Sequence, residues 1–217
     1  MGGHTGDAAA AGAGAPTASG GDAAAGAPAC GDAECGAACP SLCAVGAPCV
    51  GSDDCVSGVC LVDHCESALR VSYKTDVAAI SEYIRPFLEI ANLGQVAVPL
   101  AELEVRYFYT RDSTAMETAD CYFATPGCDK VTLAFASIDP ALPLADRVLS
   151  VTFEVGAPVL AANDLARFEI AVHKVDFDVY DQSGDYSFDA SKTAYEAHAE
   201  VCLYHDGELI WGTEPGP

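Results

Sequence analysis

Four oxygen-bearing residues stand at the ends of two segments that could meet in space. Thr110 and Asp112 close the run Val105-Arg106-Tyr107-Phe108-Tyr109-Thr110-Arg111-Asp112, and Asp181 and Asp185 bracket the turn before Tyr186. A hard cation such as Ca²⁺ takes roughly six to eight oxygens from carboxylates and loop carbonyls. Two loops of this kind, brought side by side, supply such a set. The acids do not form an EF-hand, because Asp176-x-Asp178-x-Tyr180 lacks the third ligand and the loop has neither the required Gly nor the terminal Glu. No catalytic signature accompanies them. The chain has no Gly-x-Ser-x-Gly, His-Glu-x-x-His, Walker loop or Rossmann glycine pattern. His4, His64, His173, His198 and His205 show no ligand spacing. A carboxylate pair for glycoside hydrolysis can be drawn from 32 acids, but nothing in the sequence selects one. The expectation is a chain that is not itself an enzyme.

The elements that must position these residues are unevenly spread over 217 residues. Residues 1–29 are mostly Ala and Gly, too poor in apolar surface to offset ordering entropy, and read as a disordered linker. Residues 30–66 hold eight of the eleven cysteines, at Cys30, Cys35, Cys39, Cys43, Cys49, Cys55, Cys60 and Cys65. Intervals of a few residues with interspersed Gly and Pro leave no room for helices or long strands. No Cys-x-x-Cys pair occurs, so the reading is a disulfide-stapled segment whose pairing the sequence does not rank. Residues 67–217 carry nearly all the large apolar side chains and suffice for one core.

Charge and cysteine content bound the partners. Ten Lys and Arg against 32 Asp and Glu give a net charge of −22. Such a surface repels phosphate backbones and anionic headgroups, so no nucleic acid partner is expected. No apolar stretch is long enough for a transmembrane segment. The cysteines predict an oxidising, extracellular or cell-surface location. Residues 1–6 lack a basic start and an apolar h-region, so the export signal is expected upstream. An Ala/Gly-rich tether after a lipoprotein anchor would look like residues 2–29.

The last 150 residues alternate with a period of two. Leu103, Val105, Tyr107 and Tyr109 face one way, with Glu104, Arg106 and Phe108 the other. Val131/Leu133/Phe135, Leu149/Val151/Phe153/Val155 and Phe168/Ile170/Val172 repeat the pattern. Asp206-Gly207 is a two-residue hairpin signal, since both residues tolerate positive φ. Thr193 to Ala199 is the one stretch that could form a helical turn. Many short strands predict two packed antiparallel sheets. Trp211 reads as core. Cys121 and Cys128 flank Pro126-Gly127 and are expected to pair, leaving Cys202 as a buried free thiol.

Several segments, in order, resemble the family 3 carbohydrate-binding modules. These are Leu69-Arg70-Val71-Ser72-Tyr73, Ile84-Arg85-Pro86 through Asn92-Leu93-Gly94, Arg106-Tyr107-Phe108-Tyr109-Thr110, and Gln182-Ser183-Gly184-Asp185-Tyr186-Ser187-Phe188. The resemblance spans about Leu69 to Pro217. It implies an all-β, jelly-roll-like antiparallel sandwich of about nine strands. It also implies a structural calcium. Thr110 would give a backbone oxygen, Asp112 and Asp185 carboxylates, Asp181 would stand for a threonine, and Gly184 for an asparagine with its carbonyl kept.

The family's cellulose binders use an Asp-His pair, an Arg, a Tyr and a Trp in a row on one sheet. Here Tyr122 and Phe123 stand where the Asp-His pair would be, Phe177 falls at the Trp position, and Ala171 lies near the Arg position. Aromatic faces match the C–H faces of sugars, so Tyr122, Phe123 and Phe177 are the candidate carbohydrate-binding residues. The implied function is non-catalytic binding of a polysaccharide, cellulose or a related β-glucan. The alternative is a structural or adhesive surface protein that kept the sandwich and lost the sugar face.

Overall fold

The computed structural model describes residues 46, 47, 49, 51–61 and 64–216. The linker expected over residues 1–29 and the first four cysteines lie outside them. In the described part of the cysteine-rich segment, Cys49 pairs with Cys60 and Cys55 with Cys65. One two-residue ladder, Cys60–Leu61 with His64–Cys65, and a 3₁₀ turn at Ser52–Asp54 are its regular structure. The clustered Cys49, Cys55 and Cys65 form a small core of sulfur in place of a hydrophobic one. Among the described residues no helix is long and apolar enough to cross a membrane.

Eleven strands build the sandwich. They are β1 (Leu69–Lys74), β2 (Tyr83–Ile84), β3 (Phe87–Asn92), β4 (Leu103–Tyr109), β5 (Glu117–Ala124), β6 (Val131–Leu142), β7 (Ala145–Phe153), β8 (Leu165–Lys174), β9 (Glu196–Ala197), β10 (Val201–His205) and β11 (Glu208–Trp211). The five-stranded sheet has the order β6-β7-β4-β10-β11, and the six-stranded sheet runs β9-β1-β3-β8-β2 with β5 also on β8. All ladders are antiparallel. The count exceeds nine because β2 and β9 are two-residue pairings too short to show a period.

Alternation explains the packing. Leu103, Val105, Tyr107 and Tyr109 of β4 meet Val71, Tyr73, Leu88, Ile90, Phe168, Ile170 and Val172 of the other sheet in one core. Phe168 and Phe153 pack edge to face at 5.6 Å between centroids. Each such buried side chain contributes roughly 1.5–3 kcal/mol. Trp211 packs against this core and donates its indole N–H to the His198 carbonyl at 3.4 Å. Asp206 and Gly207 take φ of 50° and 82°, closing the β10–β11 hairpin as their types predict.

Two expectations fail locally. Val155 is solvent-exposed rather than inward, because β7 ends at Phe153 before a turn with Gly156 at φ 94°. Thr193 to Ala199 forms no helical turn, because Glu196 and Ala197 pair with Tyr73 and Ser72. The outer face of the five-stranded sheet also carries a second, small core. Phe108, Ala145, Val148, Cys202 and Tyr204 are buried there with Ile138 and Tyr186 against them. The C-terminal segment covers it, with the Thr213 carbonyl accepting from the Cys202 thiol and the Tyr186 hydroxyl. Cys202 is therefore a buried free thiol, and burial pushes its pKa up to about 12.

Candidate functional site

The structure bridges the two acid-bearing segments by hydrogen bonds. Thr110 follows β4, and Asp112 takes φ 63°, a left-handed conformation that Asp tolerates better than most residues. Asp181 pairs with Ile80 in a two-residue ladder, then caps a 3₁₀ turn over Gln182–Gly184 by accepting from the Ser183 N–H. Asp185 ends that turn. The two segments are bridged twice: the Thr110 N–H donates to Asp185 Oδ1 at 2.8 Å, and the Asp181 N–H donates to Asp112 Oδ2 at 2.8 Å. The Thr110 hydroxyl also donates to Asp185 Oδ1.

Asp185 carries the electrostatic signature of the site. It is 6% exposed, and its Oδ2 is buried with no hydrogen-bond partner. Burial pushes its carboxyl up to about 7, against the lowering effect of the Thr110 bonds, with the negative charges of Asp112 and Asp146 adding to the rise. A buried acceptor without a donor, among further carboxylates, fits a cation supplying the missing charge. Thr110, Asp112, Asp181, Gly184 and Asp185 thus lie on two bridged segments, with Asp181 Oδ1 engaged by Ser183; among the described residues, the acidic group whose ligand atoms already converge is a different one, Glu102, His205 and Asp206. Asp146 is an addition that the sequence did not reveal. It sits at the second position of β7 and accepts the Arg111 N–H at 2.9 Å. It belongs to no motif, and its neighbours lie 35 residues or more away.

Beneath this turn lies a second buried carboxylate. Glu117 opens β5 with a side chain that is 0% exposed. It accepts from Tyr109 Oη at 2.8 Å, Tyr180 Oη at 3.2 Å and Arg147 Nε at 2.8 Å, and lies 3.3 Å from Arg111 Nε. Four partners from β4, β7 and both loops converge on one side chain.

The three expected rings lie on the surface. Tyr122 is 53% exposed, Phe123 52% and Phe177 47%. Phe123 pairs with Glu169, which points outward between core residues Phe168 and Ile170, so Phe123 is on the outer face of the six-stranded sheet. Tyr122 is the extra residue where the β5–β8 register shifts, and the Arg85 guanidinium lies 5.6 Å from its ring. The Cys121–Cys128 disulfide beside them ties β5 to the next turn.

Phe177 is held differently. Its φ of 57° is left-handed, an outlier for an aromatic residue. Its ring stacks on His173 at 4.7 Å and 4°, and meets Tyr83 edge-on at 6.2 Å. His173 Nε2 is 3.4 Å from Asp120 Oδ2 on the neighbouring strand. Ala171 is fully buried, but Arg85, Asp120 and His173 supply polar groups close to the rings. The loop carrying Phe177 is clamped by buried Lys174, which donates to the Val179 carbonyl at 2.6 Å. Three residues separate Phe177 from Asp181, so one connection links the ring to the acidic cluster.

A family model described as a cellulose binding domain matches residues 70–212. A xyloglucanase from Paenibacillus sp is 35% identical over 151 residues, covering 69% of this chain and 15% of the relative. The structure of CBM3b of the major scaffoldin subunit ScaA from Acetivibrio cellulolyticus is 33% identical with a TM-score of 0.66, covering 68% of this chain and 97% of that one. Biomass sensing modules of putative Rsgi-like proteins of Clostridium thermocellum, which resemble the family 3 carbohydrate-binding module of the cellulosome, give 25% and 0.66, covering 69% and 99%. The chain spans 10–21% of the length of the first four curated relatives it matches.

Proposed function

The chain belongs to the cellulose binding domain family, and from that premise we propose that it is an extracellular, non-catalytic module that holds cellulose or a related β-glucan. The observation that carries this reading is the group of three half-exposed rings, Tyr122, Phe123 and Phe177, around the outer side of the six-stranded sheet. Exposed rings on one side of a sheet offer apolar area that a ligand can cover. Sugar C–H faces are suited to that, because rings offer broad apolar area with little side-chain entropy to lose. Arg85, Asp120 and His173 stand close enough to donate to or accept from hydroxyls beside the rings.

Phe177 supports the reading most directly. A left-handed aromatic residue costs roughly 1–2 kcal/mol, and here the strain presents a ring stacked flat on an imidazole. A structural Ca²⁺ is part of the same proposal. Thr110, Asp112, Asp181, Gly184 and Asp185, with Asp146, would hold it, and the ion would offset the buried charge at Asp185. Its place four residues beyond Phe177 makes it a fixture for the presenting loop and not a reagent.

The test is retention on microcrystalline cellulose. The expected result is binding by the native chain and loss of about fivefold or more in affinity in Phe177→Ala and Tyr122→Ala, each ring being worth roughly 1–3 kcal/mol of stacking. Failure to be retained on any insoluble glucan, chitin or xylan would favour the structural or adhesive reading.

A further inference from the structure

We propose that Arg70 and Lys74 recognise carboxylates carried on a polysaccharide, so that this face prefers a uronate-bearing glucan to a neutral one. The inference rests on the proposed function above and adds the ligand's chemical class.

The chain has ten Lys and Arg against 32 acids, so a cation on its surface ordinarily finds a carboxylate. Among the described residues nearly all do. Arg85, Arg106, Arg111, Lys130, Arg147, Arg167 and Lys192 each lie within 4 Å of one. Lys174 is buried on a carbonyl. The two that remain, with neither a carboxylate nor a carbonyl partner, are Arg70 and Lys74, both on β1. Leu69, Val71 and Tyr73 point into the core, so 70, 72 and 74 share the outer face. That is the face shared by Phe87, Glu169 and Phe123, since Lys74 pairs with Phe87, Phe87 with Glu169, and Glu169 with Phe123.

Each of the two is placed as a donor without an acceptor. Arg70 Nε is buried and has no hydrogen-bond partner. An unpaired guanidinium N–H is unfavourable, and because the side chain as a whole is only part-buried, a carboxylate reaching it from outside offsets its charge. The Lys74 ammonium sits 4.7 Å from the Phe87 ring and 4.9 Å from the Tyr195 ring. The two rings hold the charge in place without neutralising it. Arg85 over Phe87 and Arg167 over Tyr195 frame the same spot, but Glu169 with Asp76, and Glu89, already take their charges. A sugar stacked on Phe87 or Tyr195 therefore brings its exocyclic substituent beside a cation that lacks a counter-charge. Arg70 and Lys74 are roughly 13 Å apart along the strand, so an extended chain lying on β1 reaches both. The acids on this strip, Glu89 and Glu169, are already paired with Arg167 and Arg85, so the strip repels an anionic polymer less than the rest of the acidic surface does.

The experiment compares soluble cello-oligosaccharides with the same chains oxidised at C6 to glucuronates, by calorimetric titration of the whole chain. The expected result is roughly tenfold or greater tighter binding of the oxidised chains. Lys74→Met and Arg70→Gln should each reduce that preference, and the double variant should abolish it, with neutral-chain affinity unchanged and serving as the check on folding. Esterifying the carboxylates should give the neutral affinity. Equal or weaker binding of the oxidised chain, with neutral chains still bound, would overturn this inference and leave the proposed function standing. Binding of neither soluble chain would also overturn this inference, while the proposed function stands or falls by retention on microcrystalline cellulose.

Discussion

Removing metal should make the protein less stable as pH rises, and Asp185 should be the reason. Its carboxyl sits at about 7 in the folded chain against 3.8 for the free group. A carboxyl raised on folding contributes stability that is fully present below about pH 4 and lost as pH climbs through about 7. Between pH 5 and pH 8 this loss is about 2.5 kcal/mol, or roughly 5–10 °C in melting temperature for a domain of this size. In saturating Ca²⁺ the sign should reverse, because the ion favours the ionised carboxylate. The assay is calorimetric melting at pH 5 to 8, in chelator and in Ca²⁺, for the native chain and Asp185→Asn. The variant should be flat in this difference and indifferent to Ca²⁺. His198, whose pKa burial lowers, contributes an opposite slope, since its stabilisation is lost as pH falls through its unfolded value near 6.5. That slope is common to both proteins and cancels between them. Parallel curves for native and Asp185→Asn in chelator, or a Ca²⁺ response that survives the substitution, would refute the reasoning.

Glu117→Gln should destabilise by roughly 3–5 kcal/mol, seen in denaturant unfolding, since it leaves Arg111 and Arg147 without their buried counter-charge. Phe177→Gly should melt no lower than Phe177→Ala while losing the same cellulose retention, because glycine accepts φ 57° freely. Gly212→Ala should cost more than about 1 kcal/mol, measured the same way. Gly212 has φ 90°, and an added Cβ would come within 2.7 Å of the Ala199 carbonyl oxygen and 2.9 Å of that of Val201. Chelation should also weaken cellulose retention by several-fold, because the Phe177 loop runs into Asp181.

What could be read in the sequence was what short-range periodicity and turn chemistry encode. The inward set of β4 follows from alternation alone, and the β10–β11 hairpin from Asp206-Gly207. The Cys121–Cys128 pair lies only seven residues apart. Residues whose role depends on distant partners stayed illegible. Glu117 is one acid among 32 until Tyr109, Arg147 and Tyr180 close on it. Asp146 joins the acidic cluster only because β7 pairs with β4. Arg85 reaches Glu169 across 84 residues. Phe177 could be placed by likeness to a family, but its left-handed backbone and its stack on His173 follow from the turn and not from its type.

The sealed thiol at Cys202 turns the C-terminal segment into its own gauge. With the sulfur hydrogen-bonded to Thr213 and its ionisation suppressed, alkylation must wait for residues 213–215 to lift away. The rate at which Cys202 itself is labelled by a maleimide, followed by peptide mapping, therefore reports how often that flap peels from the sheet, with no engineered probe. It would register loosening of the last strand long before the sandwich itself comes apart.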